Sequence, residues 1–387
     1  MPTSSPAPRP SLGEIAREWT RIGCTGFGGP PVHIAMLRAL CVERRGWLTD
    51  TQFEHALAAT NLLPGPASTQ LAIYCAWRLR GPRGALLGGA CFIVPGLIAI
   101  LALSVLFLAG SPPDWVRGAG LGAGSAVAAV AARVGGELAL TIWQRARGSA
   151  LHVRIAFYAL AGGVAAAITG PWLVIVLLAC GAVELSLRGL LGELRAAAFN
   201  WPLLAAVGAS GSDLGALSWT ALKVGALAFG GGFVIVPLME ADAVGHWMSH
   251  AQFLNAVALG QITPGPLVQT VAAVGYAEGG IGAGVLAALI AFAPSFSFVL
   301  IGAQRFERLL VDRRIRAFLA GAAPATAGAI VGAAIPLARA LSEDWQYALL
   351  GVSAILLIAL RRSIVLTLLS AGLIGAVAAL LGASIPR

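Results

Sequence analysis

The sequence predicts an all-α polytopic membrane protein whose two homologous halves form an inverted-topology repeat. Three observations carry this reading. Charge is scarce, long apolar runs are interrupted by matching Pro-Gly-Pro triplets, and the basic residues change sides between the halves. Hydrophobic residues make up 58% of the chain and charged residues 11%, with a mean hydropathy of +0.83. Soluble domains carry about 25% charged residues. A chain so poor in charge suits a bilayer, where only helices or closed barrels satisfy the backbone. Unbroken runs such as 84–110 favour helices over the alternating strands of a barrel.

The net charge of +9 comes from 26 basic residues, with Lys223 the one lysine. The arginines cluster at the ends of apolar runs, which reads as cytoplasmic anchoring and not as a nucleic-acid surface. Five scattered cysteines without a CxxC pair read as small core residues. The polar, Pro-rich segment 1–13 has no apolar core of the kind a signal peptide requires. No HExxH, GxSxG, P-loop or paired-aspartate motif is present, so neither an enzyme nor a cofactor or metal site is expected.

The internal repeat is read residue by residue. Residues 21–29 (RIGCTGFGG) match 223–231 (KVGALAFGG), and 52–66 (QFEHALAATNLLPGP) match 252–266 (QFLNAVALGQITPGP). Trp47 answers Trp247, Pro95 answers Pro294 and Arg117 answers Arg316. The expected units are a first repeat over 14–187, a linker over 188–216 and a second repeat over 217–387. Between Glu14 and Pro95 half one has eight basic residues, whereas the matching stretch of half two has only Lys223. One element later the bias flips: 303–316 holds five arginines and 111–117 only Arg117. If basic loops face the cytoplasm, equivalent loops face opposite sides, as in the inverted repeats of secondary transporters. About ten transmembrane helices are expected, near 14–38, 84–110, 117–137, 151–169 and 171–187 and their counterparts 217–239, 284–302, 317–338, 346–360 and 364–384. The stretches 51–79 and 251–279 are expected to be re-entrant hairpins, two half-helices meeting at Pro64-Gly65-Pro66 and at Thr263-Pro264-Gly265-Pro266. Proline stops the first half-helix and starts the second.

Two symmetrical breaks at membrane depth point to a central binding site. The second half-helices open with Ser68, Thr69 and Gln70, and with Gln269 and Thr270. Their free N–H groups and dipoles favour an anion; the alternative is that each triplet merely kinks a spanning helix. Arg21 and Lys223 stand six residues before Phe27 and Phe229. A charge in an apolar helix marks a functional position, unless it lies near the end and snorkels to the headgroups. Gly28, Gly29, Gly230 and Gly231 allow close approach of a ligand or of a neighbouring helix. Glu43, Asp50, Glu54, Glu240 and Asp242, with His33 and His246, are candidates for proton coupling. Their places near predicted helix ends favour plain solvated charge. Arg133 and Glu137, four residues apart, are expected to pair on one helix face.

Taken together, these motifs resemble the chromate ion transporter family in its long, two-half form. The resemblance rests on Phe27-Gly28-Gly29-Pro30, Gly46-Trp47-Leu48 and Leu63-Pro64-Gly65-Pro66 with Gln70. In half two it rests on Phe229-Gly230-Gly231 through Pro237, and on Thr263-Pro264-Gly265-Pro266 with Gly275-Tyr276. Gly232 departs from it by standing where half one has Pro30. The resemblance implies a multi-pass inner-membrane protein that exports chromate, coupled to the proton gradient. Sulfate is the competing substrate by shape. Sulfate uptake or exchange, or a passive anion channel, are the alternatives. The bilayer is the other expected partner, and a homodimer is an assembly left open.

Overall fold

The computed structural model describes residues 10–63, 65–108, 110, 112–146, 148–168, 173–190, 213–228, 233–303 and 312–384. Among them the regular structure is helical. Half one consists of α1 (Leu12–Thr25), α2 (Pro30–Arg38, continued by a π-turn over Ala39–Arg44), α3 (Asp50–Leu62), α4 (Ala67–Phe107), α5 (Asp114–Ser125), α6 (Val127–Arg145), α7 (Ser149–Ile168) and α8 (Leu173–Leu187). Half two repeats the order as α9 (Asp213–Leu227), α10 (Ile235–Ala243), α11 (His250–Ile262), α12 (Thr270–Gly302, entered through a 3-10 turn over Leu267–Gln269), α13 (Arg313–Arg339), α14 (Asp344–Ala354, ending in a π-turn over Ile355–Ala359) and α15 (Ile364–Leu380).

The repeated residues have identifiable local work. Thr49 with Gln52 and Ser249 with Gln252 form capping boxes that start α3 and α11. Phe53 and Phe253 next to them are buried. The expected single crossing over 14–38 is not one helix. Gly28 and Gly29 take φ of 104° and 76°, left-handed values open mainly to glycine. Pro30 then starts α2 afresh at its first position. Its counterpart over 217–239 is also divided, with α9 ending at Leu227 and α10 beginning at Ile235.

α4 is 41 residues long. A straight helix of that length would run to roughly 60 Å, about twice the hydrocarbon thickness of a bilayer. It breaks at Arg80–Gly81, where Gly81 has φ 60° and ψ −152°, and α12 breaks at Gly279–Gly280, with φ 71° and ψ −159° at Gly280. Both glycines occupy a region closed to side-chain-bearing residues. Each break yields a short segment (α4a, 67–79; α12a, 267–278) and a long one (α4b, 82–107; α12b, 281–302). The two segments fold back on each other. A Cβ on Gly84 would lie 2.3 Å from the Ala76 carbonyl oxygen, and one on Gly275 would lie 2.7 Å from that of Ala283. Half two is one residue shorter between its Pro-Gly-Pro turn and this break. The 3-10 turn at 267–269 absorbs the difference, because three residues at about 2.0 Å rise cover what four α-helical residues cover at about 1.5 Å.

The halves interlock. α13 of half two docks on α6, α7 and α8 of half one, and α5 of half one docks on α15 of half two. These contacts run through small residues, as in membrane helix pairs generally. A Cβ on Gly162 would lie 1.9 Å from the Ala325 oxygen, and one on Gly328 would lie 1.8 Å from that of Ala159. Gly118 and Gly375 make the same reciprocal approach between α5 and α15. α7 and α8 are also joined at one end by Glu184. Its fully buried carboxylate accepts from Arg154 (3.2 Å), the Tyr158 hydroxyl (3.0 Å) and Arg188 (2.8 Å). Arg133 pairs with Glu137 at 2.9 Å, as the spacing predicts, and also donates to the Arg362 carbonyl.

The outer surface is apolar in helical register. On α7, Val153, Phe157, Leu160, Val164 and Ile168 are all exposed along one stripe, and on α15 so are Leu366, Leu369, Leu373 and Leu380. Five helical stretches are long and apolar enough to cross a membrane: 67–107, 114–145, 150–168, 267–302 and 313–339. Shorter apolar helices at 173–187, 344–359 and 364–380 accompany them. Outward hydrophobics with inward glycines define an integral membrane protein.

Gly328→Val should unseat α13 from α7 at the cost of overpacking, about 1–3 kcal/mol or more. A melting temperature in detergent equal to that of the unsubstituted protein would show that the interface tolerates a side chain there.

Candidate functional site

The Pro-Gly-Pro turns lie at the interface between the halves, each against the opposite half. α1 and α9 seat on α4b and α12b through equivalent glycines. A Cβ on Gly23 would meet the Phe92 carbonyl oxygen at 2.6 Å, and one on Gly225 would meet that of Ala291 at 1.9 Å. The Trp19 indole N–H fixes α1 further by donating to the Ala72 carbonyl at 2.9 Å. On this frame Gly65 (φ 115°) faces half two. A Cβ there would sit 3.2 Å from the Gly225 oxygen and 3.5 Å from Ser295 Oγ. The second turn answers it, with the Gly265 N–H donating to the Gly26 carbonyl at the end of α1 (3.1 Å). Pro264 O and Gln269 Oε1 crowd Gly96 of α4b, where a Cβ would lie 2.1 and 2.4 Å from them. Gly96 and Ser295 each follow a matched proline, Pro95 and Pro294.

Polar side chains collect at this crossing. Ser68, Thr69, Gln70, Thr263, Gln269, Thr270 and Ser295 are all buried. Gln269 donates to Thr263 Oγ1 (2.9 Å) and to the Pro264 carbonyl (2.8 Å), which braces the second turn. Thr270 donates to the Leu267 carbonyl at 2.7 Å. Thr69 Oγ1 and Ser295 Oγ, fully buried, have no partner among the described residues. Pro66 and Pro266 precede the two helical segments without any side-chain cap. The N–H groups of residues 67–69 and 267–268 therefore have no intrahelical partner, while Gln269 N–H already donates to the Pro266 carbonyl at 3.0 Å; the positive dipole ends lie at these turns. Unused hydroxyls and helix N-termini suit an oxyanion.

The other predicted residues are placed as follows. Lys223 Nζ lies 2.5 Å from Asp242 Oδ2, which also accepts from Thr220 Oγ1 at 2.7 Å. Lys223 also stands over the Trp219 ring, 5.9 Å from its centroid. Asp242 is mostly buried, so the expectation of solvated charge does not hold for it: the break before α10 carries it back onto α9. Arg21 is half exposed and pairs with Glu18 at 2.8 Å, a carboxylate it shares with Arg45 (3.0 Å). The contacts of both cations are thus with carboxylates of their own halves. Arg38 pairs with Asp50 and Glu54 at the surface. Phe27 is exposed. Pro64, Phe229, Gly230 and Gly231 lie outside the described residues.

Glu240, whose side chain is 11% exposed, departs from the expectation of solvated charge as well, and His33 departs furthest. Read as solvated, it is fully buried, because the Gly28-Gly29 break folds α2 back over α4b. Its Nε2 lies 2.8 Å from Gly26 O, its Nδ1 3.4 Å from Ser68 Oγ, and Phe92 meets the ring edge-on. A carbonyl only accepts, so Nε2 carries the proton and Nδ1 is the acceptor in the neutral ring. Gly26 O therefore takes two hydrogen bonds, one from His33 and one from Gly265 of the other half. Ser295 and Gly96 were also missed; the matched prolines just before them were the available signal. A separate small cavity of about 10 Å³, room for about one water, lies away from the crossing, between α5, α11 and the 340–346 segment, beside Asn255 and Gln346.

Fold and sequence repeat together define a helical integral membrane protein with an internal duplication. The family model described as Chromate transporter matches residues 13–185 and again 215–380, and the chain belongs to that family. It is 31% identical to the chromate transport protein of Cupriavidus metallidurans, over 96% of this chain and 94% of that one. It is 30% identical to the chromate transport protein of Pseudomonas aeruginosa, over 91% and 87% of the two chains. It is 28% identical to a probable chromate transport protein of Synechococcus elongatus, over 90% of each. No solved structure matches significantly.

Breaking the Lys223–Asp242 pair from one side should destabilise more than removing both charges. Lys223→Met, Asp242→Asn and the double variant should show a coupling of about 2 kcal/mol. Additive losses in a denaturation series would mean that the pair contributes no net stability.

Proposed function

We propose that this protein exports chromate from the cytoplasm across the inner membrane, coupled to the proton gradient. The oxyanion binds between the two Pro-Gly-Pro turns. The observation that carries the reading is the crossing itself, where each turn rests on the opposite half and two uncapped helical N-termini converge with unused buried hydroxyls. Such an arrangement of backbone N–H groups and hydroxyls suits a tetrahedral anion, and it stands beside one amide oxygen, Gln269 Oε1, unpartnered among the described residues. It supports a substrate-binding role for Gly65, Pro66, Ser68, Thr69, Gln70, Thr263, Gly265, Pro266, Gln269 and Thr270. Membership of the chromate transporter family and the full-length similarity to chromate transport proteins supply the substrate.

In this reading 14–187 and 217–387 are inverted repeats, with the basic loops of each half on the cytoplasmic side. α3 with α4a, and α11 with α12a, enter and leave the membrane on one side. α3 and α11 have thirteen residues each, roughly 20 Å of helix where a span needs about 20 residues. The crossing is tightly packed, so the substrate reaches it only as the halves move against each other, exposing it to one side at a time. Arg21 and Lys223 stand on the first helices of the repeats. They act by exchanging their carboxylate partners for the anion as those helices shift.

Chromate should accumulate in everted vesicles containing the protein when a proton gradient is imposed, and should stop when it is collapsed. Accumulation that sulfate fully replaces would reassign the substrate, and flux that persists without a gradient would make the protein a channel. Thr69→Val with Ser295→Ala should raise the KM for chromate about tenfold, the loss of one to two charge-assisted hydrogen bonds. An unchanged KM would move the site elsewhere. Arg21→Ala or Lys223→Ala should abolish efflux while leaving the protein inserted; full activity in both would remove them from the transport cycle.

A further inference from the structure

We infer that His33 is the proton-binding residue of the transport cycle, and that its protonation and oxyanion binding favour one another through Ser68. The inference rests on the reading that the oxyanion binds at the crossing of the two turns.

His33 joins three of the elements that meet there. It donates to Gly26 at the end of α1, the same carbonyl that accepts from Gly265 in the second turn. It faces Ser68 in the first turn of α4a, beside the first Pro-Gly-Pro. It is fully buried, and its other neighbour is the apolar edge of Phe92. Charged groups on the elements around it are committed elsewhere. On α1, Glu18 is held by Arg21 and Arg45; on α2, Arg38 is held by Asp50 and Glu54; on α4, Arg80 donates to the Pro10 carbonyl. Glu14 and Arg17 on α1 and Arg78 and Arg83 on α4 form no hydrogen bond or ion pair with the ring among the described residues. The second turn, which touches Gly26, brings no titratable side chain between Thr263 and Thr270.

The coupling follows from the donor and acceptor roles. In the neutral ring, Nδ1 accepts the Ser68 hydroxyl proton, so Ser68 points away from the crossing. When Nδ1 takes a proton it becomes a donor to Ser68 Oγ. The Ser68 hydroxyl proton must then find another acceptor, and an oxyanion at the N-terminus of α4a is the one the geometry offers. Protonation also places a positive charge one hydrogen bond from that anion, in surroundings of low dielectric. By linkage, the anion raises the proton affinity of His33 by the same factor. A proton that leaves with the dianion moves against an acid exterior, so the pair, with its net negative charge, is driven outward by the electrical part of the proton gradient, the inside-negative potential. Half two has isoleucine, Ile235, at the position equivalent to His33, so this relay belongs to half one. In half two Glu240 on α10 is mostly buried, and burial raises its carboxyl pKa to about 7.

The test is chromate uptake into everted vesicles energised by a fixed membrane potential, with KM measured at pH values from about 8 to about 5, since burial holds His33 below the ordinary histidine range. The unsubstituted protein should show a KM that falls about tenfold across this interval, a coupling of ordinary size. His33→Gln keeps a donor for Gly26 but cannot titrate; its KM should be independent of pH. Ser68→Ala removes the relay while leaving the imidazole bond to Gly26, and should flatten the profile in the same way. It also serves if the His33 variant fails to fold. A flat profile in the unsubstituted protein overturns the inference while leaving chromate transport standing. So does a profile that persists in both variants, which would assign it to protonation of chromate itself. No chromate accumulation at any pH would instead overturn the transport reading on which the inference depends.

Discussion

Helix breaks inside an apolar-surfaced molecule leave backbone N–H and C=O groups that lipid cannot solvate, and the fold is arranged around satisfying them. Each half has three such breaks: after α1 or α9, at Pro-Gly-Pro, and at the folded-back glycine of α4 or α12. Two of them close each other across the halves. The Gly26 carbonyl left at the first break of half one is taken up by His33 and by Gly265 of the opposite half. The two turns therefore need each other's halves in place, and the duplication becomes one molecule at this point.

Close backbone approach is what makes the arrangement possible. Between lipid-facing helices there is no hydrophobic gain from association, since lipid is as apolar as leucine, so contact depends on small residues that bring backbones together. The glycines of α1, α5, α7, α13 and α15 do this in reciprocal pairs, with added Cβ atoms falling about 2 Å from a neighbour's carbonyl oxygen in several cases. Many leucines and isoleucines, which a soluble protein would place in its core, stand on the outer stripes of α7, α8 and α15.

The halves share a plan and differ in how their first breaks are held. In half one a buried imidazole reaches across to α1 and α4a. In half two Lys223 on α9 is tied to Asp242 on α10, with Thr220 sharing the carboxylate. A neutral imidazole holds the first break in one half and an ion pair holds it in the other.

Composition and repetition alone determined that this chain is helical, lies in a membrane and is duplicated, because these follow from periodicity, charge scarcity and residues spaced the same way twice. Gly81 and Gly280, Gln52 and Gln252, and the paired Pro-Gly-Pro turns are local instructions, and their consequences appear within a few residues. Arg133 and Glu137 could be paired from sequence because a helix fixes which residues share a face. The partners of Lys223 and Gly26, and the burial of His33, could not be read this way. The burial of His33 and its bond to Gly26 depend on where the chain points after Gly28-Gly29, and glycine leaves that direction to be chosen by packing. Only the tertiary structure decided it, since the carbonyl, hydroxyl and carboxylate that take up these groups come from segments distant in sequence, some from the other half.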